Sequence, residues 1–222
     1  MHDVRKCRPA GRWMPAVGNV VKGGLAVAFA VGALAPIVPA STATAQDIGE
    51  YADEVEALAQ GELQEWITDP VFVFAIREQN ELFASMTPQE IEILDKAWIA
   101  ENGRGPMIFD LLDRQGSIIL RDRREMSQGV ITEIILMDKY GLNVAISDPT
   151  TDYYQGDEAK YQETYLLGPE AVHVSEVEFD ESTQKEQTQV SLTIVDPDTG
   201  EPIGAVTFGV DLQVLEKVSK ES

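Results

Sequence analysis

Between residues 47 and 69 the apolar positions Ile48, Tyr51, Val55, Leu58, Leu63 and Trp66 recur mostly three or four residues apart, with Glu50, Asp53, Glu54 and Glu56 between them. That spacing puts one apolar stripe on a long amphipathic N-terminal helix and leaves its acidic face to solvent. Asp69-Pro70 interrupts the run. The stretch Val71-Phe72-Val73-Phe74-Ala75-Ile76 has the composition of a strand, yet the helical period continues through Leu82 and Phe83, so a second helix is expected. Thr87-Pro88-Gln89-Glu90 is a clear start signal: Thr87 caps, Pro88 suits the first helical position and Glu90 completes a capping box. That helix runs through Ile91, Leu94 and Trp98, with Gly103 as its stop. Shorter helices are expected over 108–112 and 117–126.

After Gly129 the period changes to two. Strands are expected over 130–138, 142–147, 172–179, 190–194 and 206–210. In the third, the apolar parity shifts between Val174 and Val177, the mark of a bulge. Lys139-Tyr140-Gly141 and Asp196-Pro197-Asp198-Thr199-Gly200 are short polar turns, so the strands they join pair antiparallel. Helices followed by a small antiparallel sheet make an α+β domain. One connection is long, residues 148–171.

Composition narrows the possibilities. Apolar residues at 44% and charged residues at 25% are those of a globular chain. A formal charge of −21 argues against binding nucleic acid or an anionic membrane surface. Arg5, Lys6, Arg8, Arg12 and Lys22 precede the apolar stretch 23–38, and Ala43-Thr44-Ala45 has the small-x-small shape of a cleavage site. Residues 1–45 are therefore expected to be a secretory signal peptide, an uncleaved signal anchor being the alternative, and the domain 46–222 to be periplasmic with no membrane insertion after cleavage. Without residues 1–45 the basic count falls from 17 to 12 and the acidic count from 38 to 37, a charge of −25. Cys7 and His2 leave too, so His173 is the one remaining histidine and no cysteine remains. Disulfides, thiol catalysis and His/Cys zinc sites are excluded for such a domain.

The string Ile134-Ile135-Leu136-Met137-Asp138-Lys139-Tyr140-Gly141-Leu142-Asn143-Val144 resembles the apolar strand, Asp, turn Gly and second strand of Cache domains, the PAS-like extracytoplasmic sensor domains of bacterial receptors. The segment Ser147-Asp148-Pro149-Thr150-Thr151-Asp152-Tyr153-Tyr154-Gln155-Gly156-Asp157-Glu158 resembles the loop that follows in single-Cache sensors, and the hairpin over 190–210 resembles their last one. By architecture the match covers residues 47–212, by motif 130–210. The resemblance implies a long N-terminal helix and short helices packed on a five-stranded antiparallel PAS-like sheet, a single sensor domain over 46–222, and a small-molecule pocket between the sheet and the long loop. It implies metabolite ligands such as amino acids, carboxylates or amines. No second membrane-spanning helix follows Val210 in the sequence, so a receptor or kinase acting as a separate partner is expected.

Four of the six tyrosines, Tyr153, Tyr154, Tyr161 and Tyr165, lie within thirteen residues of that loop. Aromatic walls with a few fixed polar groups suit a small ligand, and a carboxylate beside a tyrosine face suits an ammonium group. The candidate ligand-binding residues are Asp148, Asp152, Tyr153, Tyr154, Asp157 and Tyr161. The competing reading makes Asp152 a cap, Gly156 a turn and the tyrosines the rim of the core. Arg121, Arg123 and Arg124 offer either a carboxylate clamp or surface charge balance. Glu176, Glu178, Asp180 and Glu181 form an acidic patch beside a turn. No acid, base and nucleophile fall into a catalytic pattern, so no enzyme, no cofactor and no metal are expected. The function expected is an exported sensor that reports ligand occupancy to a separate signalling partner. The alternative is an acidic periplasmic interaction or divalent-cation-binding protein with no metabolite ligand.

Overall fold

A computed structural model of the protein describes residues 48–180 and 185–221, with the side chains of Phe179, Asp180 and Lys185 excepted. The expected signal segment and the turn at 181–184, with Glu181 of the acidic patch, lie outside the described residues.

The first helical run is broken once. A 3-10 turn, Gly49–Tyr51, leads into α1 (Ala52–Gln60), and α2 (Glu62–Ile67) follows after Gly61. At φ −101° and ψ −102° that glycine is outside the helical region, so the expected long helix is two short ones in sequence. Val55, Leu58, Ala59 and Leu63 still share one buried stripe across the break. The strand-like run at 71–76 is helical, within α3 (Pro70–Leu82). Asp69 caps α3 by accepting from the Val71 N–H at 2.9 Å, and Pro70 stands at its start. Phe72, Val73, Ile76 and Gln79 then bury one face, so capping and burial outweigh the strand preference of the valines. The Thr87–Glu90 capping box opens α4 (Pro88–Ala100), and α5 (Pro106–Leu112) and α6 (Gln115–Met126) follow as the pattern predicts.

The sheet holds β1 (Ile131–Asp138), β2 (Asn143–Ile146), β3 (Val172–Val174), β4 (Glu178–Asp180), β5 (Lys185–Val195) and β6 (Pro202–Asp211) in the order β2-β1-β6-β5-β3, all antiparallel. The third predicted strand is split where its parity shifts. β3 and β4 both pair with β5, so the antiparallel sheet is five positions wide. Between β2 and β3 lie α7 (Ala159–Gln162) and a 3-10 turn, Tyr165–Leu167, and after β6 the chain turns at once into α8 (Leu212–Glu221). None of the described helices is long and apolar enough to cross a membrane.

Two cores sandwich the sheet. On the first face Ile134 and Leu136 of β1, Val190, Leu192 and Ile194 of β5, and Val206, Phe208 and Val210 of β6 pack with Val55, Leu63, Phe72 and Ile76 from the N-terminal helices and Leu215 of α8. On the second, Ile135, Met137, Ile146 and Ala205 pack with Trp98, Ile108, Leu111, Tyr153 and Tyr161. The arginine triplet is committed to this framework. Arg123 donates to Asp69 (2.6 Å) and to the Trp66 carbonyl (2.7 Å) and lies over the Phe72 ring, Arg121 donates to the Leu112 carbonyl (2.8 Å), and Arg124 pairs with Asp148.

Arg77 of α3 grips the β5–β6 turn. Its Nε donates to Asp196 Oδ2 at 2.7 Å and a terminal nitrogen donates to Asp198 at 2.6 Å, while Asp196 Oδ1 also accepts the Asp198 N–H at 2.8 Å. The Arg77 hydrogen bonds pull the Asp196 carboxyl from the usual 3.8 down to about 2. A carboxyl depressed by folding stabilises the fold above its ordinary value and loses that contribution as the pH falls through the folded value. Urea unfolding should therefore show Arg77→Met less stable than the parent near neutral pH, with the gap narrowing as the pH falls from about 4 to about 2. A gap that stays constant over that window would show that this ion pair does not carry the effect.

Candidate functional site

Strand register places one residue per strand in each row of the second sheet face. One row runs Ile146, Ile135, Thr207, Ser191, His173 from β2 to β3, and the next runs Asn143, Met137, Ala205, Thr193. The face is thus apolar under α4 and α5 and polar over β6, β5 and β3. Covering the polar half are α7, which touches β5 and β3, and the Tyr165–Leu167 turn, which touches β5 and β6. Ser191 and Thr207 are fully buried there and share one hydrogen bond at 2.9 Å. Interiors of globular proteins are mostly apolar, and hydroxyls are placed there at a desolvation cost. His173 is half-buried, and burial pushes its imidazole below the ordinary histidine value against the opposing charge of Glu163. Near neutral pH this floor is an uncharged set of hydroxyls and one imidazole.

A buried carboxylate fixes the other half. Asp138, with no exposed surface, ends β1 and accepts from the backbone N–H groups of Tyr140 (2.8 Å) and Leu142 (3.0 Å) through Oδ1. Its Oδ2 accepts from Gln79 of α3 at 3.0 Å. The same Gln79 nitrogen donates to the Asn143 carbonyl at 3.2 Å, and its oxygen accepts from Arg114 at 3.3 Å. Burial raises the Asp138 carboxyl above its usual value, with the Gln79 hydrogen bond opposing. Burial, and then the charge of Asp138, push the neighbouring Tyr153 phenol up to about 12.

The loop that the sequence singled out is held to this framework at several points. Asp95 of α4 accepts from the N–H groups of Tyr153 (2.9 Å) and Tyr154 (3.0 Å). The Asn143 N–H donates to the Tyr153 carbonyl (3.1 Å) and the Gln155 N–H to the Gly141 carbonyl (2.8 Å), so residues 153–155 close the free edge of β2. Gly141, at φ +80°, lies so near Gly156 that a Cβ on it would stand 2.5 Å from the Gly156 Cα. Only glycine fits that contact.

The six predicted residues divide. Tyr153 is buried and stacks on Trp98 with ring centres 5.3 Å apart, and Tyr161 is buried, stacks on Tyr165 at 5.2 Å and donates its hydroxyl to the Lys139 carbonyl. Tyr154, Asp157, Tyr161 and Tyr165 are electrostatic neighbours at one end of the loop. Asp152 accepts from the Gln155 amide at 2.6 Å and Asp148 pairs with Arg124 and Ser147, so both are engaged within the scaffold. Missed in the sequence are Ser191, Thr207 and Gln79. The first two sit at alternate strand positions, a pattern that reads as a solvent face, and only their burial marks them.

No family model and no curated relative matches the chain. Solved structures similar to it include the ligand-binding domain of the Campylobacter jejuni chemoreceptor Tlp3 in complex with 4-methylisoleucine, at 14% identity over 75% of this chain and 62% of that one, TM-score 0.35. Another is the ligand-binding domain of the Pseudomonas aeruginosa amino acid chemoreceptor PctC in complex with GABA, at 16% over 76% and 63%, TM-score 0.34. A third is the E. coli DcuS sensor domain, at 18% over 58% of this chain and 91% of that one, TM-score 0.32. The chain spans a little over three-fifths of the two chemoreceptor domains.

Asp138→Ala would leave the buried turn N–H groups and Gln79 without their acceptor. It should cost on the order of 3 kcal/mol in urea unfolding, and Asp138→Asn, which keeps one acceptor on the turn, should cost less. A loss below about 1 kcal/mol for the alanine variant would remove Asp138 as the anchor.

Proposed function

We propose that the chain is an exported sensor domain that binds a small polar metabolite between residues 157–168 and the polar half of the second sheet face, and passes its occupancy to a separate signalling protein. The observation that supports this reading is the buried hydroxyl row. Ser191 and Thr207 occupy core positions where an apolar pair would serve stability, and the segment above them is made of one short helix and a 3-10 turn. Short elements of this kind are among the cheapest in a fold to displace. Displacing this one would exchange the Ser191–Thr207 hydrogen bond for bonds to a ligand, with His173 at one side and Tyr161 and Tyr165 as walls. In this reading Tyr154 and Asp157 would stand at the mouth of the opened site. A ligand that binds the displaced state more tightly shifts the loop population, and a partner protein reading that loop receives the signal. The Ser191 hydroxyl is engaged with Thr207, and the reading is of a binding module.

A thermal-shift screen of the protein against amino acids, organic acids and amines, with calorimetry on each hit, tests the proposal. Because Ser191 and Thr207 satisfy each other, removing both hydroxyls together is nearly neutral for folding. The Ser191→Ala/Thr207→Val double variant should keep the parent melting temperature within a few degrees and lose about tenfold or more in affinity for the hit. Alanine at both Tyr154 and Asp157 should weaken it as well. Unchanged affinity in the double variant would place the ligand elsewhere.

A further inference from the structure

The segment 157–168 holds a single basic side chain, Lys160 of α7, and it is buried. Lys160, Tyr161 and Thr164 are the buried residues of that segment and so form its inward side. The Lys160 ammonium donates to Gln155 Oε1 at 3.2 Å and pairs with Glu158 Oε2 at 3.1 Å. Gln155 is a fixed support, itself buried, with its amide nitrogen donating to Asp152. Glu158 is a loose one. Its side chain is 40% exposed against 10% for that of Lys160, and at the N-cap of α7 it makes no capping hydrogen bond. An ammonium has three N–H donors, so Gln155 and Glu158 leave one for a further acceptor. Taking an ammonium out of water is costly, and a half-exposed carboxylate that keeps its own hydration returns only part of that cost. For stability alone an apolar side chain would serve as well at this position.

Where residues 157–168 cover the metabolite site as proposed above, we infer that Glu158 holds the place of a ligand's carboxylate on Lys160, so that the site selects a molecule with an anionic end and releases Glu158 to solvent on binding it. The floor of Ser191, Thr207 and His173 carries no charge near neutral pH, so the choice of charge falls to the cover. The exchange costs the protein little, because the Glu158 side chain gives up one ion pair and regains its full hydration. A carboxylate brought beneath the cover is shielded from water, where a charge-assisted hydrogen bond is stronger than at a half-exposed position. A neutral amide is too weak an acceptor to displace Glu158, and a cationic end meets the ammonium as a like charge.

Amide chemical shifts of the labelled protein, titrated at constant ionic strength with acetate, acetamide and ethylammonium, test the placement. Acetate should move the Lys160 and Tyr161 amides saturably, and the other two solutes should not. Glu158→Gln removes the internal competitor and should bind acetate about tenfold more tightly than the parent, the worth of one charge-assisted hydrogen bond. Lys160→Met should fold as the parent does and lose the acetate response, since the methionine fills the buried stem without a charge. A merely structural ion pair would leave acetate without effect in parent and Glu158→Gln alike, and that result overturns the inference. Equal binding of acetamide, or an unchanged acetate response in Lys160→Met, overturns it too. For a metabolite found in the thermal-shift screen, affinity lost in Ser191→Ala/Thr207→Val but kept in Lys160→Met removes the role of Lys160 and leaves the site standing. Affinity kept in both variants removes both.

Discussion

Asp138 sits where four parts of the chain meet, and its carboxylate has no solvent to satisfy it. Burying an acid is costly unless its oxygens find donors, and here the donors come from the β1–β2 turn and from Gln79 on α3. Gln79 in turn spends its remaining capacity on the Asn143 carbonyl and on Arg114. The position of α3 against the sheet, the shape of the turn and the entry to α6 are therefore set together. A local change at any of these groups leaves a buried charge or amide without a partner, so the junction behaves as a unit.

The two faces of the sheet solve different problems. The first face is a dry core, where alternate residues of three strands meet the stripe of the N-terminal helices. The second is divided: large apolar and aromatic side chains fill the part over β1 and β2, and hydroxyls occupy the part over β5 and β6. That division places apolar packing and a buried polar patch side by side on one surface. The apolar half holds α4 and α5, and the polar half lies under elements too short to be stable without it.

The tyrosine-rich string was legible as a feature but not as a geometry. Its composition suggested a ligand wall, yet most of its polar groups serve the scaffold: residues 153–155 extend the sheet edge, Asp152 binds Gln155, and Asp148 neutralises Arg124. Tyr154, Asp157 and Tyr161 do gather at one end, beside Tyr165, which composition alone had placed in the same loop. Strand composition at 71–76 competed with the continuing helical period, and the period was the better guide, because a capped start and a buried stripe outweigh residue preference.

Sequence by itself determined the class of fold, the antiparallel hairpins, the capped start of α4 and the parity shift in the third strand, because each depends on neighbours within a few residues or on a period that local geometry imposes. It also determined the strongly acidic balance of the chain. Tertiary structure alone decided that β6 and β5 stand between β1 and β3, that Gln79 reaches Asp138, and that Ser191, Thr193 and Thr207 are buried. Alternation of apolar and hydroxyl residues along a strand looks the same whether the polar side meets water or a covering segment. What covers a strand is set by contacts between residues far apart in the chain, and those contacts leave no local pattern to read.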